Sequence, residues 1–480
     1  MLPGRPVRRQ FIAGMAMAFA GRTLYAQNTR EIEVRLNPAE TPGETPVDFL
    51  GLGYEISSAA TAGLFKASNK SLLPFMKTLA PRGTIRIGGN TSDFAVWSPG
   101  GTPTPLPKGT VTTAESMSDL GGWLSATGWD LIWGVNLGTG MADAAADQVA
   151  VLAASAGKRL HGIEVGNEPD LFVPQGHRKA GYGYADFRAE FDRFAAAIAR
   201  RTPGVRFAGP DVAAATDWVA NFARDEGKHL ALLTQHYYAA GPPDSPGATI
   251  SNLLRTDEGF VRMIRQLRQI SLASGIPYRL VEVNSCFGGG KPGMSDTFAS
   301  ALWGLDLMFT LADAGGAGIN WQTGVNHLGF ISSYSPVWDD QHSHYSARPL
   351  YYALLAFSIA GLGKRIPATY DAGNVNLRAW AAMDRNGSVW LTLINKDLTQ
   401  EANVRVRPMR KFERGEALEL TAPAVEAKEG VTLGGASVST DGTWRAVTRR
   451  GVRISRDGEF RWRLDPAAAV LIRLGSLQTA

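Results

Sequence analysis

From residue 48 to about residue 360 the chain repeats one pattern eight times: a short apolar, β-rich run, then a segment with apolar residues three or four apart. The runs are "FLGLGYEI", "GTIRIGG", "DLIWGVNL", "HGIEVGN", "VRFAGP", "ALLTQHYY", "YRLVEVNS" and "GAGINWQ". Between them lie helical segments such as "GYADFRAEFDRFAAAIARR", with Phe187, Phe191 and Phe194 on one side, and "SDTFASALWGLDLMFTLADA". Strands that alternate with helices read as βα units, whose crossover helices bring successive strands into one parallel sheet. Eight such units favour a (β/α)8 barrel over an open doubly wound sheet. No phosphate loop or dinucleotide fingerprint follows the first strand, which weakens the open sheet further and leaves no cofactor pattern.

After "RPLYYALLAFSIAGLGKRIP" the period changes from helical to twofold. "NVNLRAWAAM", "SVWLTLINKD", "ANVRVRP" and "FRWRLDPAAAVLIRL" alternate apolar and polar residues between Gly, Asp, Asn and Pro, the pattern of an all-β sandwich. The expected organisation is an α/β (β/α)8 barrel over residues 45–360 with a C-terminal sandwich over 361–480, joined by residues 27–44, which include "EIEVRLN". There is no internal repeat at longer period and no low-complexity tract.

Residues 1–26 read as an export signal of twin-arginine type: "RRQ" precedes the apolar "FIAGMAMAFAG", and small residues lead to an expected cut after Ala26. Leu24 is a weak fit at the third position before that cut. The expected location is periplasmic or secreted, with no membrane contact once the signal is removed, because no later apolar run reaches the ~20 residues of a span. The formal charge of +5 is largely local to this segment, since setting aside Arg5, Arg8, Arg9 and Arg22 leaves 45 basic against 44 acidic residues. Such a balance gives no basis for a nucleic-acid partner. With Cys286 as the only cysteine, no intrachain disulfide forms.

The carboxyl ends of barrel strands surround the active site in this fold, so polar residues ending the apolar runs are the candidates. The first run ends near Glu55 and the second at Gly89, Asn90 and Asp93. The fourth ends at Asn167 and Glu168, and the sixth at His236, Tyr237 and Tyr238. The seventh delivers Glu282 and Asn284, and the eighth Gln322, with Asn326 and His327 just beyond. A single glutamate at a strand end is more often a solvated carboxylate or ion-pair partner. Glutamates at the ends of the fourth and seventh strands face each other across the mouth. That is the arrangement glycosidic hydrolysis with retention requires: Glu168 as acid/base, Glu282 as nucleophile. Asn167 is placed to bond a sugar 2-hydroxyl and Tyr238 to donate to Glu282. Glu164 lies inside the fourth strand and is set aside.

These motifs carry a resemblance. Asn-Glu-Pro on the fourth strand with a seventh-strand nucleophile resembles the clan of retaining glycosidases built that way. "IRIGGNTSDF", "VGNEPD", "QHYY" and "NSCFGGGKPGMSDTFA" resemble the heparanase and β-glucuronidase family, glycoside hydrolase family 79. The resemblance implies that backbone amides of Gly288 and Gly289 bind the substrate carboxylate, that Glu55 and Asn90 contact sugar hydroxyls, and that Gln322 edges the same subsite. It departs from the family in two places. Phe287 stands where relatives commonly carry Tyr, and "TGVNHLGF" is shorter than the corresponding loop of animal heparanases, leaving His327 or Tyr334 to complete the pocket.

The expectation is therefore a secreted retaining exo-β-glucuronidase acting on glycans or glycoconjugates, with a carbohydrate as its partner. An endo-acting heparanase-like enzyme, a neutral-sugar hydrolase of the same clan, and a non-catalytic carbohydrate-binding protein are the alternatives. Other residue groups are read as structural. "DDQHSHY" offers His342 and His344 in a solvated loop rather than a metal site, and Cys286 lacks the partners of a thiol nucleophile. Trp129, Trp133 and Trp321 are read as core, with stacking of Trp321 on a sugar as the alternative.

Overall fold

The structure, a computed structural model, describes residues 30–37, 42–324, 332–340 and 342–475. The expected export signal and His327 lie outside the described residues. Eight parallel strands close into a barrel: β1 Leu50–Glu55, β2 Thr84–Gly88, β3 Asp130–Val135, β4 Leu160–Val165, β5 Phe207–Val212, β6 Leu230–Tyr238, β7 Tyr278–Asn284 and β8 Gly318–Gln322. Each pairs with its neighbours in sequence, and β8 pairs with β1 through Ile319–Leu50 and Trp321–Leu52 to close the ring.

One main helix follows each strand: α1 Leu73–Leu79, α2 Ala114–Thr127, α3 Ala142–Ala156, α4 Tyr184–Arg201, α5 Thr216–Glu226, α6 Glu258–Ser274, α7 Phe298–Asp313 and α8 Pro349–Ala360. The strands read as unbroken apolar runs because both of their faces are covered, one by the barrel interior and one by helices; every residue of β1, β2, β5 and β7 is buried. α4 shows how the outer layer attaches. The Asp186 carboxylate accepts from the Gly183 N–H at 2.9 Å and closes its first turn. Phe187, Phe191 and Phe194 are buried, and Phe191 meets Phe207 of β5 edge-on at 5.3 Å.

The second layer is a sandwich of two sheets. In one, β9 Leu377–Met383, β10 Val389–Asn395, β14 Ala468–Gly475 and β12 Arg414–Thr421 form an antiparallel centre. In the other, the early strand Ile32–Leu36 runs parallel to β11 Ala402–Arg407, which pairs antiparallel with β13 Phe460–Leu464. Val34, Leu391, Val404, Trp462 and Ile472 belong to the apolar core of this sandwich. α7 and α8 are apolar on nearly every side because they are covered by more than the barrel: Asp306 of α7 accepts from Arg378, Trp380 and Lys396 of the sandwich.

β5 extends two residues past the expected end at Pro210. A proline cannot donate to the ladder, which is why the run reads as stopping there. The strand continues with a register shift, and the Asp211 N–H is taken by the Thr234 hydroxyl at 3.0 Å. That extension carries Asp211 to the barrel mouth.

Candidate active site

A cavity of about 770 Å3 opens at the carboxyl ends of the strands, lined by Glu55, Asn90, Glu168, Tyr238, Glu282 and Gln322, together with Gly288, Gly289 and Tyr334. Asn167 is buried beneath it. Its side-chain amide donates to Asn90 at 3.0 Å, and its backbone N–H donates to Asp93 at 3.1 Å. All of the expected site residues that the structure describes thus come to one place.

Its floor is a charge cluster centred on Arg86 of β2, which is fully buried. The guanidinium donates to Glu164 at 2.8 Å, Glu282 at 2.7 Å, Asn167 at 2.9 Å and Asp211 at 2.6 Å. Only the planar fork of arginine reaches four acceptors at once. Gly88 makes room for it, since a Cβ there would lie 2.7 Å from the guanidinium carbon. His236 of β6 forms a second bridge, with Nδ1 2.9 Å from Glu168 and Nε2 2.7 Å from Asp211.

The chain turns sharply at Glu168, whose φ of 51° and ψ of 53° lie in the left-handed region. That conformation costs a non-glycine residue free energy, and the Glu168 N–H bond to the Asp211 carbonyl at 2.9 Å helps hold it. The turn lifts the Glu168 carboxylate to the mouth while Glu164 stays in the wall. One carboxylate oxygen of Glu168, one of Glu282 and a ring nitrogen of His236 lie within 4.8 Å of one another. The Glu282 carboxylate is held on both oxygens, by Arg86 and by the Tyr238 hydroxyl at 2.8 Å.

Two cations, Arg86 and His236, face six carboxyl groups here, so the deepest acids keep their protons. Burial and the Asp211 charge push Glu164 up to about 8, against the pull of Arg86. Burial and the Glu282 charge raise Glu55 to about 7, although Thr91 donates to it twice and Gln322 once, at 3.1 Å. Burial likewise raises Asp93 to about 7. Burial opposes ionisation of Asp211 and His236 too, but Arg86 and His236 outweigh it for Asp211, which is lowered, and Asp211 and Glu282 outweigh it for His236, which is raised well above its ordinary value. His236 is therefore an imidazolium donating on both sides. The Glu168, His236 and Glu282 atoms lie close together, with both His236 ring nitrogens already engaged by Glu168 and Asp211.

The raised acids predict a pH trend in stability. Glu55, Asp93 and Glu164 have folded pKa values above the ~4 of an unfolded chain, so their stabilising effect is complete below that value and is lost as pH rises through about 7 to 8. His236 loses its contribution only as pH rises through its high folded pKa, and Asp211 only as pH falls through its low one. The unfolding temperature is therefore expected to be higher at pH 6 than at pH 8.5, and Glu164→Gln to flatten the difference. Scanning calorimetry at the two pH values checks this, and an unfolding temperature that rises toward pH 8.5 contradicts it.

Motif and spacing single out neither Arg86 nor Asp211 as a site residue, and His236 stands out only as the end of a run. Arg86 left one visible signal: a charged residue within an apolar strand must find a partner, and "TIRIG" is such a strand. The structural readings of the other groups fit the geometry. Trp129, Trp133 and Trp321 are fully buried, so Trp321 stacks on Trp303 at 5.4 Å edge-to-face rather than on a sugar. Cys286 is buried, with its thiol pushed up by burial. His344 is exposed and bonded to Asp340 at 2.7 Å.

Fold and site together are a (β/α)8 barrel with an attached sandwich and two glutamates at the ends of β4 and β7, and the fold is shared with solved glycosidases. No family model matches the chain. A β-glucuronidase of Aspergillus niger is 30% identical over 262 residues, covering 46% of this chain and 47% of that protein. A β-glucuronidase of Neurospora crassa is 26% identical over 308 residues, covering 56% of this chain and 54% of that one. The chain thus matches about half the length of these curated relatives. A 4-O-α-L-rhamnosyl-β-D-glucuronidase from Fusarium oxysporum superposes with a TM-score of 0.72 at 19% identity, over 92% of this chain and 99% of that chain. A family 51 α-L-arabinofuranosidase of Bifidobacterium longum does so at 0.69 and 14%, over 93% and 100%. At these identities the solved structures establish the fold.

Proposed function

We propose that the chain is a retaining exo-β-glucuronidase of the glycoside hydrolase family 79 kind, releasing terminal β-linked glucuronic acid. The observation that carries the mechanism is the approach of Glu168 and Glu282 to within 4.8 Å. Carboxyl groups ~5 to 5.5 Å apart suit direct attack on the anomeric carbon, whereas an inverting pair stands ~6.5 to 9.5 Å apart to admit a water. Glu282, fixed by Arg86 and Tyr238, attacks as the nucleophile, while Glu168 gives its proton to the leaving oxygen. A covalent glycosyl-enzyme forms, and Glu168 then takes a proton from the water that hydrolyses it.

The remaining residues hold the sugar. Asn167, oriented by Arg86 and Asn90, donates toward the 2-hydroxyl, and Glu55, Asn90 and Gln322 meet other hydroxyls. The substrate carboxylate is assigned to the turn at Gly288 and Gly289, whose φ values of 69° and 93° are open to glycine and whose backbone lines the cavity. Tyr334 lines the same cavity, with its ring 6.3 Å from that of Tyr238, and is assigned to this subsite. The glucuronide assignment is supported by the two curated β-glucuronidases and by the family 79 motifs.

A screen of aryl β-glycosides tests the reading, with the glucuronide expected to be turned over far faster than the glucoside or xyloside. The initial product is expected to be the β-anomer, followed by NMR, and a 2-fluoro glucuronide to label Glu282. Equal or better activity on the glucoside overturns the glucuronide assignment, and an α-anomer overturns retention.

A further inference from the structure

The cavity has two unlike sides. Glu55, Asn90, Gln322 and the glycine turn make one side polar. Elsewhere on its wall, the loops after β2, β4 and β5 bring Phe94, Pro107, Leu171 and Ala213 to the cavity. Phe287 belongs to the first side: it directly precedes the glycine turn, and its ring meets Tyr238 edge-on at 6.1 Å. Leu171 follows Glu168 by one turn, its N–H donating to the Glu168 carbonyl at 2.8 Å, and the Ala213 N–H is tied to Asp170 at 2.9 Å. Leu171 and Ala213 therefore flank the acid. Among the described residues lining the cavity none is Lys, Arg or His. Lys108, whose ammonium lies over the Phe94 ring at 5.1 Å, does not line it.

We infer that the leaving-group side of this cavity is an apolar subsite, and that the substrates are glucuronides of hydrophobic alcohols or phenols rather than units within an acidic polysaccharide. The inference rests on the proposed hydrolase reading, because the side occupied by the leaving group is the one from which Glu168 delivers its proton. A sugar placed there would surrender bonds to water and find little beyond Gln175 and Glu168 to replace them. A sulfated or uronic chain would in addition need cations that the described wall lacks. An alkyl or aryl group loses nothing by leaving water and gains from the contact.

The test compares octyl with methyl β-glucuronide, below the concentration at which the octyl compound forms micelles. Both leave as primary alcohols, so the ratio of their kcat/KM values reads contact with the wall rather than leaving-group chemistry. The octyl compound is expected to be favoured by about tenfold or more, the effect of about two buried methylenes. Leu171→Asn is expected to bring the ratio toward one. A ratio near one in the unaltered protein overturns the inference, as does a glucuronosyl disaccharide hydrolysed as efficiently as the octyl compound. Failure of the glucuronide assignment looks different: another glycone is preferred, and the octyl/methyl pair run in that sugar series still reads the wall. Absence of turnover on every glycoside overturns both.

Discussion

Glu282→Ala is expected to abolish hydrolysis, whereas Glu168→Ala is expected to keep slow turnover of substrates whose leaving group needs no proton. The asymmetry follows from the chemistry of each position. Without the Glu282 carboxylate no covalent intermediate forms, and a loss of roughly 10⁵-fold or more, equivalent to ~7 kcal/mol of barrier, is expected on every substrate. Without Glu168 the first step loses a general acid worth ~10² to 10⁴-fold, but an activated phenol departs unaided. The glycosyl-enzyme then accumulates, because the second step needs the same residue as base. A burst of phenol followed by a slow steady state is expected for Glu168→Ala with an activated aryl glucuronide, read by stopped-flow absorbance. Equal, modest losses from both changes would sink the assignment.

Arg86→Met is expected to be the most damaging change for the folded state. It leaves Glu164, Asp211 and Glu282 buried without their shared cation, and breaking a buried ion pair from one side costs ~3 to 5 kcal/mol. Proton uptake by the stranded carboxylates relieves part of this, so the deficit should be smaller at pH 5 than at pH 8. Arg86→Lys should recover little, since a single ammonium cannot serve four acceptors in separate directions. Guanidinium unfolding at the two pH values measures the effect, and a variant as stable as the original at pH 8 refutes the role given to Arg86. Activity should fall with it, because the same guanidinium orients both Glu282 and Asn167.

Much of the architecture is legible in the one-dimensional pattern. All eight barrel strands fall on runs read from apolar content, and the twofold alternation of "ANVRVR" and "FRWRL" reappears as alternating burial in β11 and β13. β5 runs two residues past its apolar run, because Pro210 interrupts the ladder without ending the strand. At the mouth, Glu168 stands out because it follows the apolar run of β4, and Glu282 because it lies near the carboxyl end of β7.

Hydrophobic periodicity is a local property, repeated every two or 3.6 residues, and it is enough to specify which segments become strands, which helices cover them, and which side chains reach the carboxyl end. Charge compensation is not local. Arg86 meets partners 78, 125 and 196 residues away, and none of these pairings leaves a trace in the spacing along the chain. The separation of the two glutamates, the protons kept on Glu55 and Glu164, and the contrast between a polar and an apolar wall all depend on closure of the barrel. Closure brings the ends of β2, β4, β5, β6 and β7 around one point and excludes water from between them.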